Sequence, residues 1–244
     1  MTEEAPRYRR ILLKLSGEAL MGSAAYGIDP SVLSNLAQEL ASLRPLKVEL
    51  ALVIGGGNIF RGVSGVAQGF DRVRADQMGM LATLINALAL EEALKGHGVP
   101  TKVLSAYEIK GVVETFSKER ALSLLSQGYF VIFAAGTGNP FFTTDTAATL
   151  RALEIEAEVL FKATKVDGVF SADPAKDPQA KKFDYLSYEE VIARKLRVMD
   201  LTAIALARDH NLPVLVFNMQ VPGNITKAVC GAKVGTLVGG ERHD

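Results

Sequence analysis

The run Tyr129-Phe130-Val131-Ile132-Phe133 carries β-forming residues and no charge. It breaks directly into Ala134-Ala135-Gly136-Thr137-Gly138-Asn139-Pro140-Phe141-Phe142-Thr143-Thr144-Asp145, ahead of the helix-prone Thr146-Ala147-Ala148-Thr149-Leu150. A strand apolar along its whole length must be covered on both faces. Such strands belong to parallel sheets flanked by helices, whose ligands sit beyond the carboxyl ends of the strands. The stretch therefore predicts an α/β fold with a ligand at this loop. Glycine lets the backbone approach a ligand, Thr137, Asn139, Thr143 and Thr144 supply hydroxyl and amide groups, and the following helix offers free N–H groups to an anion. A phosphate-bearing substrate suits that inventory. A plain polar connection in which Thr143, Thr144 or Asp145 only caps the helix suits it equally.

Other segments repeat the pattern. Ile11-Leu12-Leu13-Lys14-Leu15-Ser16-Gly17 is an apolar run holding one lysine at its carboxyl end. A lysine there either snorkels to water or meets phosphate oxygens, and the adjoining small polar turn favours the second use. Glu49 to Ile54 is a second buried strand, running into Gly55-Gly56-Gly57-Asn58-Ile59-Phe60-Arg61. Three glycines in a row carry a large entropic cost, so they mark a sharp turn or close contact with a ligand. They form neither a P-loop nor the dinucleotide fingerprint, and Arg61 supplies the charge that a P-loop lysine would give. The strand that begins at Glu158 again ends in a lysine, Lys162, before Ala163-Thr164-Lys165-Val166-Asp167-Gly168-Val169-Phe170-Ser171-Ala172-Asp173-Pro174. Two lysines at strand ends can share the charge of a phosphoryl group in transfer. Asp167-Gly168 and Asp173-Pro174 read as turns, the second also able to orient a ribose or a metal-bound water.

Helices are marked between the strands. Asp29-Pro30 starts one with an N-cap and proline in the first turn, continued by Leu33, Leu36 and Leu40. Arg72 to Lys95 is a long helix with Met78, Leu81, Ile85 and Leu88 at helical spacing, ended by Gly96-His97-Gly98. Its apolar face suits the sheet or a second copy of the chain. Asp76, near its start, is favoured by the helix dipole and is also placed to accept hydrogen bonds from ribose hydroxyls. Ser117 to Gln127 is a further helix, and Ser187-Tyr188-Glu189-Glu190 is a capping box. Thr101 to Leu104 and Leu212 to Asn218 complete the strands, while Asp200 and His210 fall in helical surroundings and read as structural.

Composition narrows the function. Lys plus Arg and Asp plus Glu are balanced at 27 each, so no overall positive field draws the chain to nucleic acid or to an anionic membrane. The single cysteine, Cys230, excludes an internal disulfide and suits a reducing cytoplasm, and three scattered histidines show no metal-ligand spacing. No apolar run approaches the ~20 residues of a membrane span, and Met1 to Arg10 is too polar for a signal peptide. A soluble cytoplasmic protein is expected.

Ile11 to Gly17, Val53 to Arg61, Asp76-Gln77-Met78-Gly79-Met80, Gly136 to Ala148 and Lys162 to Pro174 together resemble the bacterial uridylate (UMP) kinases of the amino acid kinase family. The Lys162 to Pro174 stretch is similar to the nucleotide half shared with carbamate, aspartate and glutamate kinases, and implies ATP. The Gly136 to Asp145 stretch is similar to the acceptor loop of the UMP branch. The resemblance implies a three-layer α/β/α sandwich with a central, mostly parallel sheet. It also implies a single domain over residues 1–244, with an acceptor-binding part over 1–155 and an ATP-binding part over 156–244. Lys14, Leu15, Ser16, Gly17, Gly57, Arg61, Thr164, Phe170 and Asp173 are then expected to contact ATP. Gly56, Arg61, Asp76, Thr137, Gly138, Asn139, Pro140, Phe141, Phe142, Thr143 and Thr144 are expected to hold UMP. Lys14, Arg61 and Lys162 would steady the transferring phosphoryl group while Asp145 orients the lysines. ATP with Mg²⁺, a homohexamer, and GTP and UTP as effectors are further implications, with no metal ligand from the protein. Phe170 replaces the tyrosine often found at its position, and Gln77 stands where histidine is common. A kinase of a carboxylate or carbamate, and a nucleotide sensor without turnover, are the competing readings.

Overall fold

The computed structural model describes residues 5–240 except Gln68, Ala175, Pro178 and Arg197. Of the polar amino-terminal segment, Met1 to Glu4 lie outside the described residues. In chain order the elements are β1 (Arg10–Leu15), α1 (Pro30–Ala41), β2 (Glu49–Ile54), α2 (Gly62–Ala67), α3 (Arg72–Gly96), β3 (Thr101–Ser105), β4 (Glu114–Thr115), α4 (Lys118–Ser126), β5 (Phe130–Ala134), α5 (Thr144–Glu154), β6 (Val159–Thr164), β7 (Tyr185–Leu186), α6 (Tyr188–Ala193), α7 (Leu201–Asp209), β8 (Val214–Asn218), α8 (Asn224–Val229) and β9 (Thr236–Val238).

The two caps read from the sequence, Asp29 and the Ser187 capping box, are in place, and Ser117 adds a third. Asp29 accepts the N–H groups of Ser31 and Val32 at the start of α1, Ser117 accepts that of Arg120 at α4, and Ser187 with Glu190 forms the capping box of α6. Each satisfies donors that a helix start leaves without intrahelical partners.

The strands form one sheet in the order β4-β3-β5-β2-β1-β6-β8-β9-β7. Among the described residues every strand pair is parallel except β8 with β9. Alternate residues feed two separate cores. Ile11, Leu13, Leu52, Phe161 and Phe217 face a layer that contains α1, α3 and α8, whereas Leu12, Val53, Phe133, Leu160 and Val216 face α4, α5, α6 and α7. The architecture is the three-layer sandwich, and helices on both faces explain why the inner strands read as continuous apolar runs.

The chain reverses direction across the sheet at β1. From β1 it passes through α1 to β2 on one side, while the later crossover through α5 returns to β6 on the other side of β1. In open α/β sheets the ligand crevice lies outside the carboxyl ends of the strands at such a reversal. That places the crevice at the ends of β1 and β6, where both anomalous lysines are.

The face of α3 marked by Met78, Leu81 and Ile85 is not the face on the sheet. These side chains are 38%, 45% and 51% exposed, while Ala75, Ala82, Ala87, Leu90 and Leu94 pack inward with Thr83 and Asn86. Leu88 lies partly buried against the core. Small residues on the inner face let the helix axis approach the sheet closely. A Cβ added to Gly56 would lie 2.8 Å from the Ala82 Cβ.

Phe161 is fully buried between Tyr8 and Phe217, with ring centroids 5.8 and 5.7 Å away in edge-to-face geometry. We expect Phe161→Ala to lower the unfolding free energy by about 3–5 kcal/mol through lost contact and the cavity left behind. Urea unfolding should show this as a lower midpoint with an unchanged slope.

Candidate active site

Lys14 and Lys162 are register partners on adjacent parallel strands. Their alternation with Leu12 and Leu160 sends both side chains to the α5 face of the sheet. Two ammonium groups this close and largely buried repel each other strongly unless a negative charge intervenes. Asp145, in the first turn of α5, provides it. One carboxylate oxygen lies 2.8 Å from the Lys14 Nζ and the other accepts a hydrogen bond from the Lys162 Nζ at 2.8 Å. The Lys14 ammonium thus meets the carboxylate as a close ion pair, and both its charge and its hydrogen bonding favour the ionised Asp145. The Lys162 ammonium also donates to the Val198 carbonyl at 2.5 Å.

Burial by itself would raise the Asp145 carboxyl, but the two flanking ammonium groups outweigh it and hold the pKa below the ordinary carboxylate value. Burial pushes the Lys162 ammonium down. Asp145 opposes that shift and the neighbouring Lys14 adds to it. The cluster carries two positive charges against one negative, which suits an anionic guest.

The glycine turns after β1 and β2 lean on each other. A Cβ on Gly17 would lie 2.4 Å from both the Gly55 carbonyl oxygen and the Asn58 Oδ1, so only glycine fits between these loops. Asn58 and Asn86 are buried and exchange amide hydrogen bonds at 3.0 and 2.7 Å. Asn86 also donates to the Gly55 carbonyl at 2.7 Å, and Asn58 to that of Gly27 at 2.9 Å. This pair pins the triple glycine to α3. Among the expected ATP contacts, Leu15 is buried and its carbonyl accepts from the Gly55 N–H at 3.0 Å. Arg61 donates from Nε to the Gly57 carbonyl at 3.3 Å and forms an ion pair with Glu18 just past Gly17. Its exposed guanidinium is thus brought to the mouth of both glycine loops.

After β5 the chain turns through Ala135 and Gly136, both at positive φ (61° and 58°), with the Ala135 N–H held by the buried Thr83 hydroxyl at 2.9 Å. The acceptor-type loop then folds on itself. The Thr137 hydroxyl donates to the Asn139 carbonyl and accepts its N–H, each at 3.1 Å. The Phe141 N–H reaches Asp76 Oδ2 at 2.8 Å. Of the three capping candidates, Thr143 is the N-cap of α5, its hydroxyl accepting from the N–H groups of Asp145 and Thr146. Phe141 and Phe142 remain exposed.

On the far side of the cluster, the Thr164 hydroxyl donates to the Val166 carbonyl at 2.8 Å and bonds the Phe217 carbonyl at 3.1 Å. Phe170 is joined to Lys182 by an antiparallel bridge, and Asp173 is exposed further along that segment. Asp167 accepts from Asn218 at 2.9 Å, tying the turn after β6 to the end of β8. A cavity of about 760 Å³ opens nearby, lined among others by Glu18, Lys165, Met219 and Gln220.

The sequence profile of the amino acid kinase family matches residues 9–218. The chain belongs to the amino acid kinase family. Within it, a uridylate kinase of Porphyromonas gingivalis is 57% identical over 231 residues, covering 95% of this chain and 97% of that protein. A uridylate kinase of Pseudomonas putida is 58% identical, covering 96% and 94%. The crystal structure of a UMP kinase from Bacillus anthracis superposes with a TM-score of 0.93 at 40% identity, covering 96% of this chain and 97% of that one. A uridylate kinase of Archaeoglobus fulgidus superposes with a TM-score of 0.73 at 29% identity, covering 93% and 99%.

Two residues of this family member escape sequence reasoning. Asp200 caps α7 through the Ala203 N–H, and its carboxylate also accepts the hydroxyls of Thr143 and Thr146. It therefore joins the start of α5 to the segment whose Val198 carbonyl holds Lys162. Its local pattern announces only a helix cap. Asn86 has no local signal beyond a polar residue inside an apolar helix.

Asp145→Asn would leave two adjacent buried ammonium groups without a counter-charge, and should lower stability at neutral pH by about 3 kcal/mol. Because the folded-state pKa of Asp145 lies below its unfolded value, the carboxylate's stabilisation is complete above the unfolded value of about 3.9 and is lost as pH falls through the folded value. The wild-type advantage over Asp145→Asn, measured by denaturant unfolding at pH 7 and pH 3, should accordingly shrink at the lower pH.

Proposed function

We infer that this chain transfers the γ-phosphoryl group of ATP to the phosphate of UMP, reversibly, giving UDP and ADP. The observation that carries this reading is the Lys14–Asp145–Lys162 cluster at the head of an acceptor loop, in a chain more than half identical to uridylate kinases.

The chemistry asks little of a base. A phosphomonoester has a second pKa of ~6, so the acceptor oxygen is already largely anionic at neutral pH. What the reaction requires is to align two mutually repelling anions and to balance their charge during transfer. Lys14 and Lys162 neutralise the transferring group, and Asp145 keeps both ammonium groups at fixed positions. Arg61 contacts the phosphates of both substrates, exchanging Glu18 for them. Leu15, Ser16, Gly17 and Gly57 offer backbone to the ATP phosphates, while Thr164, Phe170 and Asp173 contact the rest of that nucleotide. Gly56, Asp76 and Thr137 to Thr144 hold UMP. The acceptor part then lies within about residues 1–155, which also lend the glycine turns to the ATP phosphates, and the rest of the ATP part within about 156–244.

No group of three or more Asp, Glu, His or Cys side chains with metal-binding geometry occurs among the described residues. Mg²⁺ would come in on the phosphates of ATP, as is usual for this ion. When bound, it supplies further neutralisation of the transferring charge.

A cytoplasmic enzyme of pyrimidine nucleotide biosynthesis follows from the reaction. No helix among the described residues is long and apolar enough to cross a membrane. The exposed Met78, Leu81 and Ile85 of α3 support self-association, while the homohexamer and GTP and UTP as effectors rest on the family resemblance alone.

The test is ADP release from Mg-ATP with UMP, CMP, dUMP, GMP, carbamate, aspartate and glutamate offered separately. Turnover confined largely to UMP is expected, whereas turnover with carbamate or a carboxylate and none with UMP sinks the acceptor assignment. Lys14→Ala should lower kcat by about 10²–10³-fold while UMP binding survives, as expected for loss of one charge aimed at the transition state. A chain that only senses nucleotide would have no turnover to lose.

A further inference from the structure

Phe141 has φ of 71°, a left-handed conformation that is strained for a bulky residue, and its side chain is 65% exposed. Core packing therefore does not hold it there. A hydrogen bond from the Phe141 N–H to Asp76 Oδ2 at 2.8 Å does, its one bond to a distant part of the chain among the described residues. The same oxygen accepts from the Arg72 Nε at 2.8 Å, and the Arg72 guanidinium carbon lies 5.6 Å from the centre of the Phe141 ring. One arginine thus engages the strained residue twice, through the carboxylate that grips its backbone and through its ring face.

Helix stability does not account for this arginine. Arg72 is the first residue of α3, where a positive charge opposes the helix dipole, and Asp71 already caps that end through the Arg74 N–H. An exposed pair four residues apart contributes little to stability. Yet the carboxylate it holds is only 11% exposed and is hemmed in on its other side, since a Cβ on Gly62 would lie 2.5 Å from Asp76 Oδ1. The other basic groups nearby are engaged elsewhere, Arg74 with Gln77 and Arg61 with Glu18.

We propose that Arg72 is a positioning residue for the acceptor substrate: it fixes the Asp76 carboxylate against the Phe141 N–H, covers the Phe141 ring, and so holds the acceptor loop in its receiving conformation before substrate arrives. The proposal rests on the reading that Asp76 and residues 137–144 hold UMP. Preorganisation of this kind lowers the KM for the acceptor, because ordering the loop no longer draws on binding energy. The chemical step and the ATP side are untouched, since Arg72 reaches neither lysine.

Steady-state kinetics of the full chain decide it. Arg72→Ala should raise the KM for UMP about tenfold, with kcat, the KM for ATP and Tm close to wild type. Arg72→Lys, which keeps the charge on Asp76 but stacks less well, should recover part of the loss. Because the two residues act as a unit, Arg72→Ala combined with Phe141→Leu should cost less than the product of the two single effects. Chymotrypsin should also cut after Phe141 or Phe142 faster in Arg72→Ala. An unchanged KM for UMP, a parallel rise in the KM for ATP with a lower Tm, or effects that multiply independently would each overturn the proposal. If the wild-type chain itself does not turn over UMP, the acceptor reading fails and the proposal with it. Wild-type turnover with an unmoved Arg72→Ala defeats the proposal alone.

Discussion

The interaction on which the rest of this structure depends is the sharing of one carboxylate, Asp145, between two lysines on neighbouring parallel strands. Register places Lys14 beside Lys162, and the two-residue alternation of β-strands sends both ammonium groups to the same face. Without Asp145 the arrangement is electrostatically untenable in a buried setting. With it, the cluster is held together while keeping an excess of positive charge at the carboxyl ends of the strands, where α/β sheets bind ligands. The requirement reaches outward. Asp145 must sit in the first turn of α5, so the turn after β5 must deliver that helix to the right place, and Thr143 must cap it.

The loops around this cluster are held by polar side chains rather than by apolar packing. Thr83 takes up the N–H of a left-handed Ala135, Asp76 that of Phe141, and the reciprocal amides of Asn58 and Asn86 anchor the triple glycine. Each bond satisfies a backbone or amide group that would otherwise be costly to bury or strain to hold. Asp200 extends the logic across the site, since one carboxylate caps α7 and receives two threonine hydroxyls from the start of α5. The start of α5 and the lysine-bearing strand β6 are therefore mechanically linked. Such linkage is what positioning chemistry needs, where misplacement of the reacting groups by about 1 Å is expensive.

Several site residues were legible because they break a local rule. Lys14 and Lys162 interrupt apolar runs, Gly55 to Gly57 gather backbone freedom where a strand ends, and the polar stretch from Gly136 to Asp145 separates a buried strand from a helix. The acceptor loop and the nucleotide-type segment also carried the family resemblance, which the profile match and the relatives support. Asp200 and Asn86 were not legible, since a helix cap and a polar residue within a helix are common and gain their meaning only from partners 54 and 28 residues away. Which face of α3 meets the sheet was left open by the sequence for a related reason. Three of its inward residues, Ala75, Ala82 and Ala87, are alanines, whose small size matters only once another backbone comes close, while Met78, Leu81 and Ile85 announce themselves by size.

Local sequence signals were enough for the main strands and helices, though not for the short β4, β7 and β9 or for α2 and α8. Strand β6 also runs on to Thr164, beyond the Lys162 at which the sequence ended it. Apolar runs set the strands, and Asp29, Ser117 and Ser187 set helix starts through bonds to the backbone two or three residues on. These signals act over one turn or one pleat, so they survive without knowledge of the fold. Only the tertiary structure decided that β6 returns to lie against β1, that the two lysines become neighbours, and that Asp145 falls between them. Strand order and register arise from burying two opposite faces of one sheet at once, a condition on the whole chain that no local window contains.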